Sequence, residues 1–168
     1  MGPAVQDMKQ QQIRLLVVGG NGFIGKHIVN HAMGLGWNVT SLSLKSKDEV
    51  NHPNFRYLSA DIADNALLKE NLREASFEYV VNCGGYIDHT PFSKGGGKVF
   101  DTHFGGVLNL VEVLNRDNLR SFVNIGSSDE YGSLSAPQSE DMCEIPISSY
   151  SLGKVASTKL LQMLHQTE

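Results

Sequence analysis

The sequence predicts an α/β protein built on a doubly wound parallel sheet. Three observations predict it: short apolar runs of strand length, helix-period segments between them, and a glycine-rich turn joining the first run to the first helix. Ile13 to Val18 is a continuous apolar run after a polar leader, as expected of a strand covered on both faces. Phe23 to Gly36 follows as a helix, with Ile24, Ile28, Ala32 and Leu35 at helical spacing and Gly36 as its stop. Asn38 to Leu44 and Phe55 to Leu58 are the second and third strands, and Asn65 to Ala75 is a helix with Leu67, Leu68 and Leu72 on one side. Phe77 to Cys83 is the fourth strand, ending in Gly84-Gly85. Tyr86 to Gly97 reads as a loop, Lys98 to Leu114 as a long helix, and Ser121 to Ile125 as the fifth strand. A last helix starts near Ile147 and runs almost to the end. Right-handed crossovers between parallel strands then give the order 3-2-1-4-5, with ligand expected at the carboxyl ends where the order reverses.

The 168 residues suit one well-buried domain, read as a flexible leader over 1–12 and a domain over 13–168. A formal charge of −4, without a basic cluster beyond Lys45-Ser46-Lys47, argues against nucleic acid or an anionic membrane as partner. No apolar run approaches the ~20 residues needed to cross a bilayer, and the leader lacks the apolar stretch of a secretion signal. Cys83 and Cys143 form neither a disulfide framework nor a metal-ligand pattern, so no metal site is expected and a reducing cytoplasm is the simplest compartment.

Val18-Gly19-Gly20-Asn21-Gly22-Phe23-Ile24-Gly25 sets Gly19, Gly22 and Gly25 three apart between a strand and a helix. The first permits a tight turn, the second lets main chain approach a diphosphate, and the third lets the helix pack closely on the sheet. Unpaired N–H groups, including those of Phe23 and Ile24, then face the anion at the positive end of the helix dipole. This strand–turn–helix is the Rossmann pattern for a dinucleotide, here NAD(P). An NAD site usually carries an acidic residue about 20 residues past the glycines. Here Ser43 occupies that place, in Ser41-Leu42-Ser43-Leu44-Lys45. With Lys45 and Lys47 close behind, a 2′-phosphate can be accommodated, which favours NADP modestly; the same lysines also suit a plain solvated loop. Asp61-Ile62, after the third strand, can lie along the adenine, and Asp61 equally suits a turn or helix cap.

Tyr150 and Lys154 are four apart on the last helix and share a face. A lysine ammonium beside a phenol stabilises the phenolate, and such a phenol can exchange a proton with a carbinol or carbonyl while hydride moves to or from a nicotinamide. Gly153 sits inside this helix despite a cost of about 1 kcal/mol, which implies that something packs closely against it. Ser127 and Ser128 end the fifth strand beside the expected crevice, where either hydroxyl can hold a substrate oxygen.

Together, Gly-Gly-x-Gly-Phe-Ile-Gly, Ser-Ser-x-x-Tyr-Gly and Tyr-x-x-x-Lys, in this order, resemble the extended short-chain dehydrogenase/reductase family. Within it, the chain is similar to the NAD-dependent epimerase/dehydratase branch acting on nucleotide sugars. The resemblance covers Ile13 to Glu168. It implies that Ser127 is the catalytic Ser/Thr, Tyr150 the acid/base and Lys154 the residue holding the nicotinamide ribose. It also implies that Cys83, Gly84 and Gly85 line the cofactor. Ser128-Asp129-Glu130-Tyr131-Gly132 is similar to the loop of nucleotide-sugar 4,6-dehydratases, with Asp129 in the slot of their proton-abstracting glutamate; a 4-keto-sugar reductase subgroup also carries acids here, and a loop cap is the plain alternative. The family's asparagine before strand five is replaced by His103, which departs from the usual proton relay and, with an unperturbed imidazole pKa near 6.5, offers itself as a relay instead.

The resemblance also implies a C-terminal substrate domain beyond Glu168, so the chain is expected to bind NAD(P) with little or no turnover alone. Phe104, Val107, Leu108, Val111 and Leu114, with Leu160, Leu161, Met163 and Leu164, mark the helices 98–114 and 147–166 as a homodimer surface unless the sheet takes them. The competing expectation is a non-catalytic dinucleotide-binding module on the same fold.

Overall fold

The computed structural model describes residues 12–45 and 52–168. Five strands, β1 (Arg14–Val18), β2 (Asn38–Ser43), β3 (Phe55–Ser59), β4 (Tyr79–Asn82) and β5 (Ser121–Asn124), form one parallel sheet in the order β3-β2-β1-β4-β5. This is the expected 3-2-1-4-5 Rossmann order. Alternation along β1 sends Leu16 and Val18 to one layer and Leu15 and Val17 to the other. The first layer joins Leu42, Leu58 and Val80 to Leu68 and Leu72 of α2 (Asn65–Leu72) and Leu110 of α4 (Gly106–Val113). The second packs Val29 and Ala32 of α1 (Phe23–Gly34) against Val39. Both faces of β1 are therefore dry, which is why its sequence is apolar without alternation.

At the amino edge of the sheet, Glu78 ties three strands together. Its N–H donates to the Arg14 carbonyl, its own carbonyl receives the Arg120 N–H, and its carboxylate takes the Arg14 guanidinium at 2.6 Å. The Arg14 side chain holds the Glu78 carboxyl below the usual carboxylate range against the opposing effect of burial.

The long helix expected over 98–114 is three segments in line. α3 (Gly97–Phe100) passes into a π turn (Asp101–Gly105) and then α4. The extra residue of the π turn is stabilised from α5 (Ser149–Thr167), whose Ser157 hydroxyl lies 2.8 Å from the carbonyls of both His103 and Gly153. Gly153 permits that approach: a Cβ there would stand 3.0 Å from the His103 Cβ. This is the close packing that a mid-helix glycine implied. α5 begins at Ser149 rather than Ile147 because the Ser148 side chain accepts the Ser151 N–H and caps it. α2 stops at Leu72, short of Ala75, and α1 at Gly34, where Leu35 and Gly36 close the turn back onto His31 and Met33. Of the leader, residues 1–11 lie outside the described residues, as does Lys47.

Two stability predictions follow from these contacts. Glu78→Gln should lower the unfolding free energy by about 1–2 kcal/mol at neutral pH, measured by urea unfolding. Because the folded carboxyl titrates below its unfolded value, the difference should vanish in acid as the wild-type group protonates. His103 is held neutral by burial, its pKa lowered from 6.5. The unfolded chain therefore binds a proton that the folded one refuses, and stability should fall as pH drops through that range. His103→Asn should flatten this part of the curve; an unchanged slope would contradict the assignment.

Candidate active site

The glycine turn is shaped by contact with two strands. The Gly19 N–H donates to the Leu42 carbonyl at 2.7 Å, and the Gly22 N–H returns to the Gly19 carbonyl at 2.9 Å. Gly19 has φ +73°, and a Cβ there would lie 2.8 Å from the Cys83 carbonyl. A Cβ on Gly25 would collide with the Gly19 carbonyl. No larger residue fits either place without moving main chain. The start of α1 is capped by Gly22, without a side-chain acceptor and without an acidic residue in the first turn. Its first N–H groups are left for an anion.

A cavity of about 530 Å³ opens at these carboxyl ends. Its lining includes Gly19 and Gly22, Ser43 and Lys45, Asp61 and Ile62, and Cys83, Gly84 and Gly85. Phe23, Ile24 and Gly25 do not line it, and the Phe23 and Ile24 side chains are 78% and 46% exposed. Ser43 is already engaged, its Oγ accepting the Asn21 N–H at 3.2 Å and its carbonyl the Tyr57 hydroxyl at 3.0 Å. Asn21 also donates to the Lys45 carbonyl at 2.7 Å, fixing the loop that follows β2. Asp61 fulfils the turn-cap alternative, accepting the Ala63 N–H at 2.9 Å, while also facing the cavity. Burial pushes the Cys83 thiol up, so it is a neutral wall. A glycine turn that only glycine can make, free helix-start amides and this cavity together fit a dinucleotide.

Sequence reasoning did not single out Asn21, Tyr86, Lys98 or Thr102, which also line the cavity. The Lys98–Thr102 spacing, one helical turn after a glycine run, was an available signal. Asn21 was visible only as an unspecified place between glycines.

Tyr150 and Lys154 reach the same end of the sheet from α5. Both are buried, and the Lys154 Nζ stands 5.9 Å from the Tyr150 ring centre. The ammonium donates to the Ile125 carbonyl at 2.7 Å, at the exit of β5. Burial lowers the Lys154 pKa, opposed by the negative charge of Glu130. The His103 ring meets Tyr150 edge-on at 4.9 Å, and its Nε2 lies 2.8 Å from the Tyr86 carbonyl. A carbonyl only accepts, so Nε2 carries the proton of a neutral imidazole. His103 thus joins the cavity wall at Gly85-Tyr86 to the phenol. Its depressed pKa does not suit the titrating relay considered from sequence.

Ser127 caps the turn Ser128–Tyr131, its Oγ accepting the Asp129 N–H at 3.2 Å. The two adjacent acids have separate places. Glu130 is buried, accepting the Ser127 N–H at 2.8 Å and the Thr158 hydroxyl at 3.3 Å. Asp129 is half exposed, with its Oδ2 3.6 Å from the His89 Nε2.

Residues 15–168 match the NAD dependent epimerase/dehydratase family. A UDP-glucose 4-epimerase of Lacticaseibacillus casei is 25% identical over 150 residues, covering 88% of this chain and 45% of that protein. A dTDP-glucose 4,6-dehydratase of Xanthomonas campestris is 28% identical over 172 residues, covering 90% and 49%. Among solved structures, the Bordetella bronchiseptica enzyme WbmG in complex with NAD superposes with a TM-score of 0.77 at 18% identity, over 94% of this chain and 51% of that one. The chain spans about half the length of the curated relatives it matches. With the glycine turn, the sheet order and a match over this range, the chain belongs to the NAD-dependent epimerase/dehydratase family.

Proposed function

We propose that this chain is the cofactor-binding portion of a nucleotide-sugar epimerase or dehydratase, with Tyr150, Lys154 and Ser127 as its catalytic set. The observation that carries the reading is the meeting of two elements distant in sequence: His103 links Tyr150 to the Gly85-Tyr86 wall of the cavity that the glycine turn opens. The bound dinucleotide supplies hydride transfer to and from a carbinol carbon. Tyr150 takes or gives the hydroxyl proton, Lys154 keeps positive charge beside the phenol, and the Ser127 hydroxyl donates to the substrate oxygen. Asp129 is the acidic residue at the open side of the site. A 4-keto-sugar reductase uses the same groups with hydride moving the other way. A purely cofactor-binding module has no use for a buried tyrosine–lysine pair, so the enzyme reading is preferred.

The cofactor is NAD or NADP, with NADP preferred. Among the described residues β2 ends without a carboxylate to repel a 2′-phosphate, and Lys45 lies on the cavity wall. The protein is cytoplasmic, and it pairs as a homodimer through α3–α4 and α5, where Leu152 and Met163 are exposed apolar residues.

In thermal-shift titrations NADPH should raise the melting temperature more than NADH, and Lys45→Ala should remove the difference; a larger shift with NADH would contradict the preference. In the full-length gene product, Tyr150→Phe should lower turnover of UDP- or dTDP-hexoses by about 10²–10⁴-fold while keeping the cofactor-induced shift. Undiminished turnover would refute the assignment of the phenol.

A further inference from the structure

Glu130 is a buried acid that the reaction described above does not use. It is 7% exposed in the turn after β5, and among the described residues no cationic side chain stands within 4.0 Å of its carboxylate. A carboxylate in such a place costs free energy unless hydrogen bonds and a countercharge offset it. Oε1 accepts the Ser127 N–H at 2.8 Å, and Oε2 accepts the Thr158 hydroxyl at 3.3 Å. Gly126 makes room for it, since a Cβ there would stand 2.8 Å from Oε1. Main chain fixes the residue as well: its N–H donates to the Ser127 carbonyl at 3.1 Å, and its carbonyl accepts the Ile145 N–H at 3.0 Å.

Thr158 and Lys154 are four apart on α5 and share a face. Lys154 donates to the Ile125 carbonyl at 2.7 Å. A closed circuit results. α5 grips the exit of β5 at Ile125 through Lys154 and, one helical turn on, reaches Ser127 through Thr158 and Glu130. The groups facing Lys154 are Tyr150 on its own helix, His103 from the π turn, Cys83 from the exit of β4, and Glu130. Burial keeps His103 neutral and the Cys83 thiol protonated. Until Tyr150 ionises, Glu130 is therefore the negative member of this described group. A glutamine would serve both hydrogen bonds equally well, so a plain turn cap has no need of the charge.

We propose that Glu130 is a positioning residue for the reaction, setting the Ser127 hydroxyl in register with Tyr150 and supplying the countercharge to the buried Lys154 ammonium. The proposal rests on the functional reading above. Glu130 touches no ligand itself and acts through Ser127 and Lys154. Burial lowers the Lys154 pKa and the Glu130 charge opposes that. Without the charge, the ammonium gives up its proton at lower pH, and the alkaline limb of turnover moves down with it.

The test uses the full-length gene product with UDP-glucose or dTDP-glucose and NAD+ or NADP+. kcat and KM are read across pH, and the cofactor-induced thermal shift reports the folded site. Glu130→Gln should lower kcat at neutral pH about tenfold with KM within about threefold, and should move the alkaline limb of kcat down by about one pH unit. Glu130→Asp, which keeps the charge, should leave the limb in place. An unmoved limb in Glu130→Gln, or an equal movement in Glu130→Asp, overturns the proposal. Thr158→Val frees the carboxylate from α5 and keeps its charge; it should lower kcat about threefold with the limb unmoved. Wild-type kcat in Thr158→Val overturns the positioning role even where Glu130→Gln does not fold. Absence of turnover in the wild-type protein with both sugars instead overturns the functional reading on which the proposal rests.

Discussion

The start of α1 is the constraint on which the rest of the site depends. A helix N-terminus carries N–H groups that its own backbone does not satisfy, and here neither a capping side chain nor a first-turn acid takes them. The glycine turn sets those amides beside the cavity because Gly19 and Gly25 let the main chain of the turn meet that of Cys83 and of the start of α1 without side chains between them. They stand at the carboxyl ends of β1 and β4, where the strand order reverses and a doubly wound sheet has its natural crevice.

Tyr150 and Lys154 are held in place by a second close approach. The π turn and the Ser157 hydroxyl bring α5 against the helix over 97–113, and Gly153 admits His103. Tyr150 and Lys154 are buried by that packing. The neutral imidazole is suited to it: a protonated ring there would stand near the Lys154 ammonium in a poorly solvated place. His103 accordingly acts through position, holding the Gly85-Tyr86 wall and the phenol together.

Much of this was legible in the sequence because the deciding signals are local. An apolar run, a glycine turn and a helical stripe report β1, its turn and α1 directly, and the strand order follows from the alternation of elements. Gly153 in mid-helix announced a close contact without naming the partner. What was not legible depends on three-dimensional registry. The π turn at Asp101–Gly105 has no periodicity of its own and is stabilised by a hydroxyl more than fifty residues away. Asp129 and Glu130 are indistinguishable as neighbours in sequence, yet one is a buried pin and the other faces His89. The exposure of Phe23 and Ile24 likewise follows from where the helix lies on the sheet.

Amide chemical-shift mapping of this chain during titration with NADPH tests the central claim most directly. The account predicts the largest changes at Gly22 to Gly25 and along Gly84 to Tyr86, around the carboxyl ends of β1 and β4. Changes centred instead on Glu78 and Asp117 to Arg120, which line a smaller cavity at the opposite end of the sheet, would contradict it.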